Sequence, residues 1–183
     1  MVFSFVCLLF ATALFAGNSV KVKSGDAAVL KEKSNAFVVF DYAATKVGDK
    51  TMQEYLKSWG EDFVRDWPND QVKVAAYFKE RFNKKNKKGM QIISDKADAA
   101  YTIIVHVKKL DMGNGGSSFV PFAGAKAGGV IMTGTVDVVN NKTPKVVCTF
   151  SADEVKGLGH VSETVRLGMA YFQLATELCG LAK

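Results

Sequence analysis

The sequence predicts a two-layer sandwich of the α/β (α+β) class, in which helices cover one face of a mixed, largely antiparallel sheet of about five strands. Three observations support this prediction: an apolar run precedes two helical patterns, long alternating segments follow, and an amphipathic stretch closes the chain. The predicted order is β-α-α-β-β-β-β-α. Because the helices lie at two places in the chain, one shared sheet that both sets cover is the simplest arrangement.

The first predicted strand is the apolar run AFVVFDY at residues 36–42, whose Val and Phe content is typical of a buried strand. Thr51 stands three residues before Glu54, which is the spacing of a capping box, and apolar residues then recur at helical spacing. We therefore expect an amphipathic helix over residues 52–66 that is ended by Pro68.

Two further helices are predicted from caps and apolar spacing. The second helix is expected to begin at Asn69 or Asp70 and to end in a lysine-rich segment before Gly89. The last helix follows the cap Ser162 and ends near Gly180. The predicted buried face is Val74, Ala75, Phe78 and Phe82 in the second helix, and Val165, Met169, Phe172 and Cys179 in the last.

Between these helices, the sequence predicts a short strand at residues 90–94 and long strands at 101–111, 129–139 and 145–156. Apolar and polar residues alternate along the long strands, which indicates one buried and one partly solvated face. Residues 140–143 (NNKT) suit a hairpin turn, because asparagine tolerates a positive φ. The predicted core-facing residues are Tyr101, Ile103, Val105, Val107, Val130, Met132, Val136, Val138, Val146, Cys148 and Phe150.

Residues 1–19 (MVFSFVCLLFATALFAGNS) contain no Asp, Glu, Lys or Arg. Their apolar run ends in small residues and is shorter than the ~20 residues that span a membrane. This pattern predicts a cleaved signal peptide at 1–19, followed by a single domain at 20–183. We therefore expect an exported protein, periplasmic or associated with the outer membrane, that does not bind nucleic acid.

The net charge of +6 is concentrated in one segment that ends the second predicted helix. We define the lysine patch as Lys84, Lys85, Lys87 and Lys88. The patch has two interpretations. Cations at a helix end complement the helix dipole, and a cationic surface can also bind an anionic lipid or glycan.

Cys148 and Cys179 are the two cysteines that follow the predicted signal peptide. Both occur in patterns that point them towards the core. Outside the cytoplasm they could form a disulfide or remain two buried free thiols, and the sequence leaves both alternatives open.

No catalytic or metal-binding pattern is present in the sequence. The histidines of the predicted domain, His106 and His160, lack partners at zinc-ligand spacing, and the nucleophile motif G-x-S-x-G is absent. His106 could lie beside Asp111 or Asp137 across strands, as an ordinary surface polar group. The sequence therefore predicts a protein that is not an enzyme and that uses no cofactor and no metal.

The segment MGNGGSSFVPFAGAKAGG, residues 112–129, is a glycine-rich loop with an apolar tip. The tip comprises Phe119, Val120, Pro121 and Phe122. An exposed aromatic tip would suit insertion into a partner groove or a membrane interface. Alternatively, the two phenylalanines fold back over the open face of the sheet and close the core.

Three segments resemble a group of bacterial envelope domains: AFVVFDY, ADAAYTIIVHVKKLD and GGVIMTGTVDVVNNKTPKVVCTFSADEVKG, followed by the closing helix. The group includes the amino-terminal domain of the translocation protein TolB, the curli-secretion channel subunit and related small lipoproteins of unknown function. The resemblance covers residues 36–180 and departs from the group in lacking a lipidated cysteine. It implies a non-enzymatic envelope protein that acts through protein contacts or assembly.

The leading functional hypothesis is therefore an exported binding or assembly module, whose partner is an envelope protein or a second copy of the chain. The alternative is a lipid- or glycan-binding envelope protein that uses the lysine patch together with the aromatic loop. A hydrolase without a recognisable motif is the third hypothesis.

Overall fold

The computed structural model describes residues 19–113 and 128–182 and confirms the predicted class, with α-helices packed on a mixed, mostly antiparallel sheet. The residues of the predicted signal peptide before Ser19 lie outside the described part of the chain. The strands are β1 (Val20–Gly25), β2 (Asn35–Asp41), β3 (Lys46–Val47), β4 (Lys50–Thr51), β5 (Gln91–Ile92), β6 (Tyr101–Asp111), β7 (Ile131–Asn140) and β8 (Lys145–Lys156). The helices are α1 (Met52–Trp59), α2 (Glu61–Lys85) and α3 (Glu163–Leu181), and a 3₁₀ turn covers Ala27–Lys31.

Within the described residues the sheet has eight strands instead of about five, in the order β1-β8-β7-β6-β2-β5, with the hairpin β3–β4 attached to β6 beyond the end of β2. β6, β7, β8 and β1 pair antiparallel, whereas β2 runs parallel to both β6 and β5. Three strands lie beyond the five that the sequence predicts: β1, in a segment whose sequence suits either a lead-in strand or an arm, and the short strands β3 and β4. Two of them are only two residues long, and β1 is exposed along most of its length, so none carries an apolar pattern.

One apolar core lies between the sheet and the helix pair α2 and α3. The fully buried large side chains include Phe78 and Phe82 of α2, Phe150 of β8 and Tyr171 of α3. In the part of the chain that the structure describes, no helix is both long and apolar enough to cross a membrane.

The predicted end of the first helix at Pro68 is wrong. The helical path breaks earlier, at Gly60, whose φ of 127° and ψ of 162° suit only glycine. Pro68 then lies inside α2, although a proline within a helix costs about 3 kcal/mol. Packing compensates for this cost, because Val64 and Trp67, just before Pro68, both contact the core. The predicted capping box of Thr51 and Glu54 is present.

The predicted apolar stripe of α3 is rotated from the observed one. Val165, Met169, Phe172 and Cys179 are only half-buried. The buried face is Leu167, Ala170, Tyr171, Leu174, Ala175 and Leu178. The difference arises because α3 contacts the sheet and α2 at once, so more than one side of this helix is apolar. Phe172 and Cys179 lie on the flank that meets α2.

Two of the bulges in the sheet change the alternation that the sequence predicts. A register shift between Val107 and Lys109 brings Leu110 into the core. A second shift in the β7–β8 pairing leaves Val146 exposed, so this residue does not share the buried face predicted for it. The other predicted core residues of β7 and β8 are buried as expected.

Candidate functional site

The strand β2 has a free edge along most of its length. β5 covers it only beside Asn35 and Ala36, and the chain leaves this position after Ile93, whose N–H donates to the Ala36 carbonyl at 2.9 Å. Farther along, the hairpin strand β4 occupies the same outer position, beside β3. We call the uncovered stretch of β2 between β5 and β4 the open edge.

The backbone groups of the open edge follow from the parallel ladder. Alternate residues of a strand direct N–H and C=O to the same side. Since the Ala36 carbonyl is bonded on the β5 side, Val38 and Phe40 present their N–H and C=O groups on that side as well. Within the described residues, no strand pairs with them there. Two donors and two acceptors are thus available for a further strand.

A groove of about 600 Å³ runs beside the open edge, with α2 as its other wall. Its lining is mainly apolar, and small residues, Ala75 and Ala76, form the middle of the helical wall. Val72 projects there with 71% of its surface exposed. At the β5 end, the Lys79 Nζ donates to the Ser94 Oγ at 2.6 Å, and both residues line the groove. The groove therefore lies where a further strand would pair with β2, and it has a cation at one end.

The opposite edge of the sheet, β1, is constructed differently. Lys21 and Lys23 lie exposed along it, and Lys23 is bulged out of the pairing with β8. Lysines and bulges are the devices by which natural edge strands avoid further pairing.

The lysine patch lies at the end of α2 and in the turn that follows, and all four side chains are exposed. Phe63, near the start of α2, lines one cavity with Met112, which precedes the glycine-rich loop. At 1.5 Å per residue, Phe63 and Lys84 are about 30 Å apart along the helix. The patch and the start of the loop therefore lie at opposite ends of α2, and one small ligand could not contact both.

The predicted loop tip, Phe119, Val120, Pro121 and Phe122, lies outside the described residues. The flanking glycines Gly113 and Gly128 line a shallow depression with Asp111 and Gly157. The neighbouring depression, also lined by Gly113, includes the exposed side chain of Trp59.

The two cysteines are free thiols in this structure. Cys148 is buried on β8, and burial raises the pKa of its thiol. Cys179 faces α2, with its Sγ 3.8 Å from the Phe82 carbonyl, and burial raises its pKa to about 12. Both groups stay protonated at neutral pH, so neither is activated as a nucleophile.

His106 lies on the sheet face that the helices do not cover. Of the two neighbours that the sequence suggests for it, Asp111 and Asp137, it contacts Asp137. Its Nε2 is 3.3 Å from Asp137 Oδ2, and its Nδ1 is 2.9 Å from Asp41 Oδ2. The Ala43 N–H and the His106 ring lower the pKa of Asp41. Among the described residues no group of three side chains could hold a metal ion.

The sequence pattern predicted β2 but not its open edge. The indication that was available is the brevity of the next apolar segment, since MQIIS at residues 90–94 is too short to cover seven residues of β2. Asp41 was likewise not predicted as a partner of His106, because the parallel pairing that aligns them joins segments far apart in the chain.

No protein-family profile matches the chain, and no curated protein matches it by sequence. Among solved structures, the PelC dodecamer from Paraburkholderia phytofirmans is 12% identical with a TM-score of 0.45, covering 85% of this chain and 96% of that chain. A point variant of the same dodecamer is 11% identical with a TM-score of 0.45, covering 87% and 97%. At these values the likeness assigns neither a family nor a function. The resemblance to the TolB and curli-secretion domains stays a prediction.

Proposed function

We propose that this chain is a non-enzymatic protein-binding module of the bacterial cell envelope, which binds an extended segment of a partner by adding it as a strand to the open edge of β2. The single observation that carries the proposal is the groove between this edge and α2. The exported location rests on the charge-free segment 1–19, as a proposal from sequence.

Strand addition fits the chemistry of both walls of the groove. The backbone groups of Val38 and Phe40 can each exchange hydrogen bonds with an incoming strand, and each bond contributes about 1 kcal/mol. Side chains on one face of that strand would contact Val72, Ala75 and Ala76 of α2. An extended polypeptide offers backbone hydrogen bonds to β2 and apolar side chains at alternate positions to α2. The groove therefore favours a polypeptide over a lipid or a glycan.

The test uses a synthetic library of eight-residue peptides with Val, Ile or Leu at alternate positions, titrated against the ¹⁵N-labelled domain. Peptides that bind are expected to shift the amide resonances of Val38, Phe40, Ala75 and Ala76. Val72→Glu places a charge in the groove and is expected to weaken binding at least tenfold, which is about 1.4 kcal/mol. Val161→Glu is the matched control, because Val161 is 64% exposed and lies outside the groove.

Two outcomes would overturn the proposal. One is that no peptide in the library binds. The other is that bound peptides shift resonances elsewhere and are weakened equally by Val72→Glu and Val161→Glu.

The alternative function, binding of an anionic lipid or glycan, is favoured by one observation. All four side chains of the lysine patch are exposed, and none forms an ion pair with a described carboxylate. The test is binding of the protein to anionic vesicles at low salt. Binding that is lost when the four lysines are replaced by glutamine would support this second function.

A further inference from the structure

The groove beside β2 is closed at one end by the chain itself. β5 lies in the position that an added strand would take beside Asn35 and Ala36, and the chain turns away only after Ile93. An added strand that reaches this point cannot continue along β2. It must either end there or turn out of the groove.

The closed end carries a positive charge. Lys79 lines the groove, and its ammonium donates one hydrogen bond to Ser94 Oγ, which leaves two of its three donors. Among the described residues, no carboxylate forms an ion pair with Lys79. The open part of the groove, near Pro68 and Gln71, offers no comparable cation on its walls.

The charge selects the direction of the strand. If the partner chain begins at the closed end and runs parallel to β2, its α-ammonium lies beside Lys79, and the two like charges repel each other. An antiparallel strand would end there and place its α-carboxylate beside the ammonium of Lys79 and the hydroxyl of Ser94. Antiparallel pairing is also the more stable of the two ladders.

From these observations we infer that the groove binds the free carboxyl terminus of a partner chain, antiparallel to β2, with the α-carboxylate held by Lys79 and Ser94. This inference rests on the proposed function, because it names the part of the partner that strand addition would use. The uncovered stretch of β2, from Phe37 to Asp41, accommodates about five residues at 3.3 Å each.

The experiment compares two forms of the same synthetic library, one with a free C-terminal carboxylate and one with a C-terminal amide. Free acids are expected to bind the full chain about tenfold more tightly than the matched amides, since a charge-assisted hydrogen bond is lost in the amide. The advantage of the free acid should shrink as salt is raised, whereas the affinity of the amides should stay constant.

Lys79→Met is expected to remove the difference between acid and amide, because the loss of affinity falls on the free acids. Lys84→Met is the matched control, because Lys84 lies on the same helix and has the same charge but does not line the groove. Equal binding of acids and amides, or equal effects of the two substitutions, would overturn this inference while leaving strand addition intact. Failure of both libraries to bind would overturn the proposed function itself.

Discussion

The two edges of the sheet differ in how they meet solvent. Along β1, exposed lysines and a bulge at Lys23 interrupt the backbone ladder. Along β2, the backbone of Val38 and Phe40 is regular, lies beside a groove and has no lysine among the strand residues. Since an unprotected edge strand is a hazard for aggregation, the contrast between the two edges supports the proposed addition of a strand at β2.

The edges also differ in how they are attached to the core. β1 is held mainly by its pairing with β8 and by the Val20 N–H, which donates to Glu177 of α3. β2 pairs with β6 within the sheet and packs against the helices, where the Phe40 ring contacts Phe78 and Tyr171. The open edge is therefore anchored to the core through the Phe40 ring. An edge that is already packed in place is suited to binding, because little conformational entropy is lost when a strand is added.

The largest expected effect comes from disturbing the edge formed by β1. A side chain at Gly25 would collide with the Val147 carbonyl of β8, at a φ of +79° that only glycine adopts easily. Gly25→Ala is expected to cost about 3 kcal/mol of unfolding free energy in urea titrations. It should also uncover β8 and cause association that increases with concentration in sedimentation experiments.

Gly48→Ala is the matched control for that substitution. Gly48 has a φ of +61° but no atom within 4 Å of the added methyl group, so it tests the strain alone, at about 1 kcal/mol. Equal losses of stability at the two glycines would show that the contact with β8 does not hold this edge in place.

A smaller effect is expected from loosening the open edge. Tyr42, the residue after β2, and the fully buried Tyr171 of α3 share a hydrogen bond of 2.8 Å between their hydroxyl groups. Tyr171→Phe leaves the Tyr42 hydroxyl without this partner and is expected to cost about 1–2 kcal/mol. Tyr101→Phe is the control, because the Tyr101 hydroxyl bonds to Glu32 in an exposed position and should cost about 0.5 kcal/mol. Similar losses from both substitutions would contradict the anchoring role of the tyrosine pair.

The smallest expected effect concerns pH. Asp41, the last residue of β2, has a pKa below the ordinary value of 3.8 because the Ala43 N–H and His106 stabilise its carboxylate. A group with a lowered folded-state pKa stabilises the fold above pH 3.8, and this contribution is lost as the pH falls through the folded-state value. Asp41→Asn is therefore expected to reduce the acid dependence of unfolding below about pH 4. An acid dependence that Asp41→Asn leaves unchanged would contradict this contribution of the Asp41 carboxylate.

Most of the fold could be predicted because the long strands carry their own pattern. The strands predicted at 101–111 and 145–156 match β6 and β8 at both ends, since alternation is a local property of the sequence. The helix end predicted at Pro68 and the buried face predicted for α3 are wrong. In both cases packing against α2 or the core outweighs the local preference.

The candidate site could not be predicted in the same way. Whether an edge of β2 is free depends on which segment pairs beside it, and β5 lies some fifty residues farther along the chain. In the sequence, Lys79 lies only five residues before the lysine patch. Only the fold shows that Lys79 lines the groove whereas the patch does not. Whether a strand edge is free is a property of the assembled sheet, so it cannot be inferred from the sequence of any single segment.

The position of β1 has a consequence for the order in which the protein folds. The Val20 N–H and its acceptor Glu177 are 157 residues apart in the chain, whereas β6, β7 and β8 are successive strands that pair with their neighbours. Contacts between near neighbours form faster than distant ones, so we expect the meander to form before β1 docks. Until β1 docks, β8 would be the exposed edge of the sheet and the place where a second chain could pair wrongly.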